Sequence, residues 1–198
     1  MHISEGILSG GMLAVGWAGT VAGVSFGLKH TDPDKIIRTA LVSSAFFLAS
    51  LVNIRIGPSS THLSLLAPMG LILGYSVFPA VFTALLLQAV LFGFGGLVVL
   101  GANTIVMGLP ALVCYVIFGR TVRDGTGKKV AVISFMAGAL AVMMAAGLSG
   151  AFLGFSDRNF LGAVKLLLIA HVPLALVEGA VTSFLIVWLK KSVPEFLS

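Results

Sequence analysis

Long apolar stretches alternate with short polar segments along almost the whole chain. A helix that crosses a membrane needs roughly 20 mostly apolar residues. The stretches that reach or approach this length are about 10–28, 39–54, 79–100, 130–153 and 163–189. Two shorter ones, about 62–76 and 104–119, fit either a crossing helix or a segment that enters the membrane and returns. The pattern therefore predicts an all-α integral membrane protein with five or seven crossings.

The positions of the basic residues favour seven crossings. Lys and Arg are enriched in cytoplasmic loops of membrane proteins. With the N-terminus outside and seven helices, nine of the twelve basic residues are cytoplasmic and three are outside. The nine are Lys29, Lys35, Arg38, Arg120, Arg123, Lys128, Lys129, Lys190 and Lys191, and the three are Arg55, Arg158 and Lys165. We therefore predict an outside N-terminus and a cytoplasmic C-terminus.

Composition supports one membrane domain over residues 1–198. The chain is 58% hydrophobic and only 10% charged, whereas soluble domains carry about 25% charged residues. The net charge of +5 does not indicate nucleic-acid binding, because the basic residues form short clusters between apolar stretches. Gly19, Gly23 and Gly27 are spaced by four in the first stretch, a pattern that lets membrane helices approach closely.

Three of the four histidines are predicted to gather on the outer side of the membrane. His2 precedes the first helix, His62 begins the third, and His171 lies in the outer half of the last. His30 falls in a cytoplasmic loop, where we expect it to be solvated. A single histidine is more often structural, but three on one side favour a site for Zn, Cu, Ni or Co, which imidazole binds well.

The first two residues have the chemistry of a chelate. A bulky second residue prevents removal of the initiator methionine, so Met1 is expected to keep its free amine. That amine, the His2 main-chain nitrogen and His2 Nδ1 would close a five-membered and a six-membered ring, and His62 could complete a square. Square-planar nitrogen coordination favours Ni(II) or Cu(II). We therefore predict that residues 1–9 form a metal-binding loop; the alternative is a frayed tail.

Other polar residues are predicted in or near the membrane, where they are costly and often functional. Asn53 and Gln88 belong to this group, and Glu178 could bind a polar neighbour or take part in release. Groups that orient metal-bound imidazoles are usual around such sites. The candidates for this role are Ser59, Ser60, Asn103 and His171. Each of them could equally join helices to one another.

Four motifs together resemble the CbiM/NikM family of cobalt and nickel transport subunits. They are the opening MHISEG, GPSSTHL at 57–63, QAVLFGFGGLVVLGANTIVMG at 88–108 and HVPLALVEG at 171–179. The resemblance covers nearly the whole chain in order. Family members often carry a histidine where Phe94 stands here, so we expect no ligand at that position.

The resemblance implies a substrate-binding subunit of an energy-coupling-factor transporter in a prokaryotic cell membrane. It implies seven helices, with the N-terminal loop inserted into the core from outside. The ligands of Ni(II) or Co(II) would be the Met1 amine, the His2 main-chain and imidazole nitrogens, and the His62 imidazole. The implied partners are two cytoplasmic ATPase subunits, a membrane coupling subunit and a small accessory membrane protein. The choice between nickel and cobalt stays open.

Two other classes of protein compete with this interpretation. Gly147-Leu148-Ser149-Gly150 fits the G-x-S-G of intramembrane rhomboid proteases, and Ser149 with His171 could act in nucleophilic hydrolysis. The motif is weak, because Ser149 lies in an Ala- and Gly-rich run where it arises easily by chance. A metal channel would bind its ion too weakly to retain it on purification. We therefore expect a transport subunit and not an enzyme.

Overall fold

The computed structural model describes residues 2–51, 53–56 and 59–197, with the backbone alone for 53–56 and 59–62. Seven α-helices and one antiparallel hairpin make up the fold of this described part. The helices are α1 Gly10–Lys29, α2 Ile36–Leu51, α3 Leu66–Leu73, α4 Val77–Phe92, α5 Leu100–Asp124, α6 Gly127–Ser156 and α7 Leu161–Ser192. The strands are β1 Asn53–Ile56 and β2 Ser59–His62. Short 3-10 turns occupy Pro33–Lys35, Gly74–Ser76, Arg158–Phe160 and Pro194–Leu197.

The helices confirm an all-α membrane fold. Five helical segments are long and apolar enough to cross a bilayer: α1, α3 with α4, α5, α6, and α7 with the turn before it. The short stretch at 104–119 lies inside the 25 residues of α5. Helix α2 has 16 residues, a length of about 24 Å, which is less than a typical bilayer core. Seven crossings and an outside N-terminus therefore stay predictions.

Three predicted helix boundaries are wrong, and backbone conformation explains the two larger errors. The stretch predicted at 79–100 ends as a helix at Phe92, because Gly93 adopts a left-handed conformation with φ 68°. The stretch predicted at 62–76 forms an α-helix of only eight residues, because His62 belongs to β2 and the chain turns at Gly74 with φ 58°. The stretch predicted at 39–54 stops at Leu51, and β1 follows. Hydropathy continues through these points although the helix does not.

Helix α5 lies at the centre and packs against α1, α3, α4 and α6. Every residue of α3 is buried. A Cβ atom added at Gly19, Gly23 or Gly27 of α1 would lie 2.5 to 2.8 Å from side-chain atoms of α5 or α4. The close helix packing predicted from the spacing of these glycines is therefore confirmed.

The ends of α7 and of the chain are tied to neighbouring elements. Helices α6 and α7 form a long antiparallel pair. Lys190 Nζ donates to the carbonyl of Arg123 at 2.8 Å, at the end of α5, where a cation complements the helix dipole. Arg38 donates to the carbonyls of Glu195 and Phe196 at 3.1 and 3.3 Å. These bonds join α7 to α5, and α2 to the C-terminal turn Pro194–Leu197.

Candidate metal centre

The segment before α1 folds back onto the helices. Ile3 is 5% exposed and lies in the hydrophobic core. Its N–H donates to Asn103 Oδ1 at 2.9 Å, and its carbonyl accepts from Asn103 Nδ2 at 3.0 Å. One amide side chain thus satisfies both main-chain groups of a buried residue, as a neighbouring strand would. The described part of the tail, from His2 onward, is therefore docked and not frayed.

A glycine-containing loop between α4 and α5 receives the same segment. Glu5 N–H donates to the carbonyl of Gly95 at 3.1 Å, and Glu5 Oε1 accepts from Val98 N–H at 2.9 Å. Gly96 has φ 118°, and a Cβ added there would overlap the Glu5 side chain. The loop can lie this close to Glu5 because Gly96 has no side chain.

His2 is held by a chain of side-chain hydrogen bonds. Its Nε2 lies 2.9 Å from Gln88 Oε1, and Gln88 Nε2 donates to Ser50 Oγ at 2.6 Å. Because the Gln88 amide donates through its nitrogen, its oxygen accepts, and His2 Nε2 must carry the proton. In the neutral ring, Nδ1 then carries the lone pair. This is the nitrogen that a chelate through the His2 main chain requires.

Burial keeps the His2 imidazole neutral. Loss of water, together with the charge of the N-terminus, lowers the pKa of His2 from 6.5 to about 3, while the hydrogen bond with Gln88 acts in the opposite direction. A neutral imidazole is the form that binds a metal ion. The environment of His2 therefore suits a ligand at physiological pH.

The other predicted ligands lie partly outside the described residues. Met1 is outside them altogether, and so are the side chains of Ser59, Ser60 and His62. The backbone places His62 at the end of β2, opposite Asn53 in the hairpin register. The ligand roles of Met1 and His62 and the supporting roles of Ser59 and Ser60 stay predictions.

His171 does not join the N-terminal loop through a hydrogen bond in the described structure. It is 7% exposed, and its Nδ1 donates to the carbonyl of Leu167 at 2.7 Å. Its Nε2 has no hydrogen-bond partner there, and neither has Ser149 Oγ. Ser149 and His171 therefore form no hydrogen-bonded pair, and the protease alternative finds no support. His30 is exposed, as expected, and its Nδ1 contacts the carbonyl of Phe26 at 2.8 Å.

Two residues in contact with the site region were not assigned to it from the sequence. Gln88 is fully buried at 0% exposure and Ser50 at 1%. Gln88 is recognisable as a polar residue in an apolar helix, which is a functional signal at membrane depth. Ser50 gives no such signal, because serine is common in membrane helices. Phe94, at which no ligand was expected, places its ring centroid 6.3 Å from that of His2.

The fold and the docked histidine define an α-helical integral membrane protein with a half-buried imidazole near its N-terminus. The family described as the cobalt uptake substrate-specific transmembrane region, CbiM, matches residues 2–196. The chain belongs to this family, and it is a substrate-specific membrane component of cobalt or nickel transport. Membership in a transport family agrees with the expectation that the chain is not an enzyme.

Relatives and a solved structure agree with this assignment. A protein of Haemophilus influenzae named as a metal transport protein is 34% identical over all of this chain and 97% of its own length. The fused nickel transport protein NikMN of Rhodobacter capsulatus is 29% identical, and the match covers 64% of that longer protein. The crystal structure of a truncated transition metal transporter superposes with a TM-score of 0.80 at 25% identity, covering 96% of this chain and 99% of that one.

Proposed function

We propose that this chain captures Ni(II) or Co(II) outside the cell, as the substrate-binding subunit of an energy-coupling-factor transporter. The observation that carries the proposal is the state of His2. Gln88 and the docked N-terminal segment hold its ring at a defined position, with the proton on Nε2. The lone pair is then on Nδ1, next to the main chain, where chelation needs it.

The proposed ligands are four nitrogens. The Met1 amine, the His2 main-chain nitrogen and His2 Nδ1 form two fused chelate rings, and the His62 imidazole fills the fourth position. Among the described side chains, no three His, Cys, Asp or Glu residues form a cluster that could hold a metal ion. The proposed site needs no such cluster, because two of its four ligands are the Met1 amine and the His2 main-chain nitrogen. The metal is the transported substrate, and the proposed ion is Ni(II) or Co(II).

Partner subunits would supply the energy for uptake. The 198 residues contain no G-x-x-x-x-G-K-[ST] nucleotide-binding motif. We therefore propose that two cytoplasmic ATPase subunits hydrolyse ATP and that a membrane coupling subunit transmits the change to this chain. A small accessory membrane protein completes the proposed complex. We propose that the present chain lies in the cell membrane of a prokaryote and crosses it several times.

Metal analysis of the purified protein tests the proposal. The chain is purified in detergent with its authentic N-terminus and a C-terminal tag, and its bound metals are quantified before nickel and cobalt compete for the site. We expect one ion per chain. A Gly-Ser extension before Met1 and, separately, His62→Ala should each abolish tight binding.

Two outcomes would contradict different parts of the proposal. Undiminished binding by the extended protein would show that the Met1 amine is not a ligand. Failure of the authentic chain to retain either ion would contradict the proposed capture of Ni(II) or Co(II) by this chain. Reconstitution with the ATPase and coupling subunits, followed by ATP-dependent uptake of nickel into vesicles, tests the role of the partners.

A further inference from the structure

A carboxylate on α7 binds the turn that follows His62. Glu178 is 1% exposed and Ser64 is 0% exposed. Glu178 Oε1 accepts hydrogen bonds from the N–H of Ser64 and, at 2.7 Å, from its hydroxyl group. The N–H of Leu65 lies 3.2 Å from Glu178 Oε2. Three donors of two consecutive residues therefore converge on one side chain that is more than 110 positions away in sequence.

The backbone of this turn has a conformation that needs support. Leu65 has φ 47°, the left-handed region, which leucine rarely adopts. It immediately precedes α3, and no side chain of its own caps that helix. The first N–H groups of a helix need acceptors, and a negative charge is favourable at this end. Glu178 supplies both from α7.

We propose that Glu178 is a positioning residue for the metal site. Ser64 is two residues beyond His62, so the carboxylate fixes the chain directly after the proposed fourth ligand. With the turn held, the His62 end of β2 keeps one position relative to the docked N-terminal segment. The inference rests on the proposed function, because His62 is a ligand only in that proposal.

Replacement of Glu178 by glutamine tests the inference in the full chain. Glutamine keeps the length of the side chain but has one acceptor oxygen, so its amide nitrogen would face an N–H of the turn. We expect E178Q to weaken Ni(II) binding at least about tenfold, as loss of groups that support a metal ligand typically does. T182V is the matched control, because Thr182 is a fully buried polar residue on α7 whose hydroxyl has no hydrogen-bond partner in the described structure.

The ligand-field absorption of bound Ni(II) separates positioning from general stability. If His62 is withdrawn while the Met1–His2 chelate remains, water replaces one nitrogen and the band moves to longer wavelength. With Ni(II) in excess, so that the weakened site of H62A is also filled, E178Q should therefore show the same shift as H62A, whereas T182V should keep the wild-type band and an affinity within about twofold of wild type. S64A, which removes only the hydroxyl donor, should cause a smaller loss in the same direction.

The experiment distinguishes failure of the inference about Glu178 from failure of the proposed function. Wild-type affinity and an unshifted band in both E178Q and S64A would overturn the inference and leave the proposed function standing. Failure of the wild-type chain to bind either ion would overturn the proposed function and this inference with it. If E178Q does not fold, S64A decides the question, because Glu178 and the backbone bonds of the turn remain in that variant.

Discussion

Asn103 binds Ile3 through both main-chain groups of that residue, at 2.9 and 3.0 Å. The two residues are 100 positions apart, and their pairing fixes the segment that immediately follows His2. A chelate made by the chain terminus needs that terminus to be ordered. The affinity for the metal ion should therefore depend on Asn103, although Asn103 is not a proposed ligand.

Asn103→Ala should weaken Ni(II) binding by at least about tenfold. The substitution leaves the buried N–H and carbonyl of Ile3 without partners, and each such group costs roughly 1–3 kcal/mol; a change of about 1.4 kcal/mol is tenfold in affinity. Isothermal titration in detergent measures the effect. Thr104→Val is the control, because the buried Thr104 hydroxyl bonds, among the described residues, only to the carbonyl of Leu100 in its own helix. Equal affinities of the two variants would contradict the prediction.

Gln88→Leu should reduce Ni(II) affinity about 10- to 100-fold, the range seen when a partner of a metal-bound imidazole is lost. Without the Gln88 oxygen, the proton of the neutral His2 ring is no longer fixed on Nε2. The tautomer with the proton on Nδ1 cannot bind the metal through that atom. Titration with Ni(II), with a thermal unfolding curve of the metal-free protein, measures the effect.

Thr83→Val is the matched control for Gln88→Leu. Thr83 lies on the same helix, is exposed, and its hydroxyl donates to the carbonyl of Pro79 at 2.8 Å. It should keep wild-type affinity. A Gln88→Leu protein that binds as tightly as this control would show that the hydrogen bond with His2 does not prepare the ring.

Hydropathy predicted the helices well because lipid imposes one strong requirement, that a crossing segment be apolar over its whole length. It could not place the helix ends, because Gly74 and Gly93 stop helices inside apolar runs through their backbone angles. The spacing of Gly19, Gly23 and Gly27 predicted a close helix contact but not its partners. Those partners depend on which faces of α4 and α5 turn toward α1, and that follows from the assembled bundle.

The site was only partly predictable for a related reason. His2 could be singled out because its ligand chemistry depends on its place in the chain. Gln88 and Glu178 were visible as costly polar residues in membrane helices, but their partners, His2 and Ser64, are 86 and 114 positions away. Such pairings follow from tertiary packing. Asn103 was predicted to orient a metal-bound imidazole; it binds the main chain of Ile3, and its supporting role at the metal stays a prediction.

Gly96→Ala should undock the N-terminal segment and lower both stability and Ni(II) affinity. A Cβ at Gly96 would overlap the Glu5 side chain, so the bond between Glu5 and Val98 would be lost. Gly93→Ala is the control: its φ of 68° is also unfavourable, but nothing lies within 4 Å of the added Cβ. We expect Gly93→Ala to cost about 1 kcal/mol of stability and to keep its metal affinity.

Thermal unfolding and Ni(II) titration of the two glycine variants decide this prediction. Equal effects of both substitutions on metal affinity would mean that backbone strain alone, and not contact with Glu5, explains the loss.

Ser149→Ala should leave metal binding unchanged and should not destabilise the protein. The Ser149 hydroxyl is buried without a hydrogen-bond partner in the described structure, and an unsatisfied buried polar group costs roughly 1–3 kcal/mol. Its removal should therefore be neutral or stabilising in a thermal unfolding experiment. If Ser149 were instead the nucleophile of a protease, the same substitution would abolish labelling by a fluorophosphonate probe. We expect no such labelling in the wild-type chain, and labelling that disappears in Ser149→Ala would contradict a purely transport role.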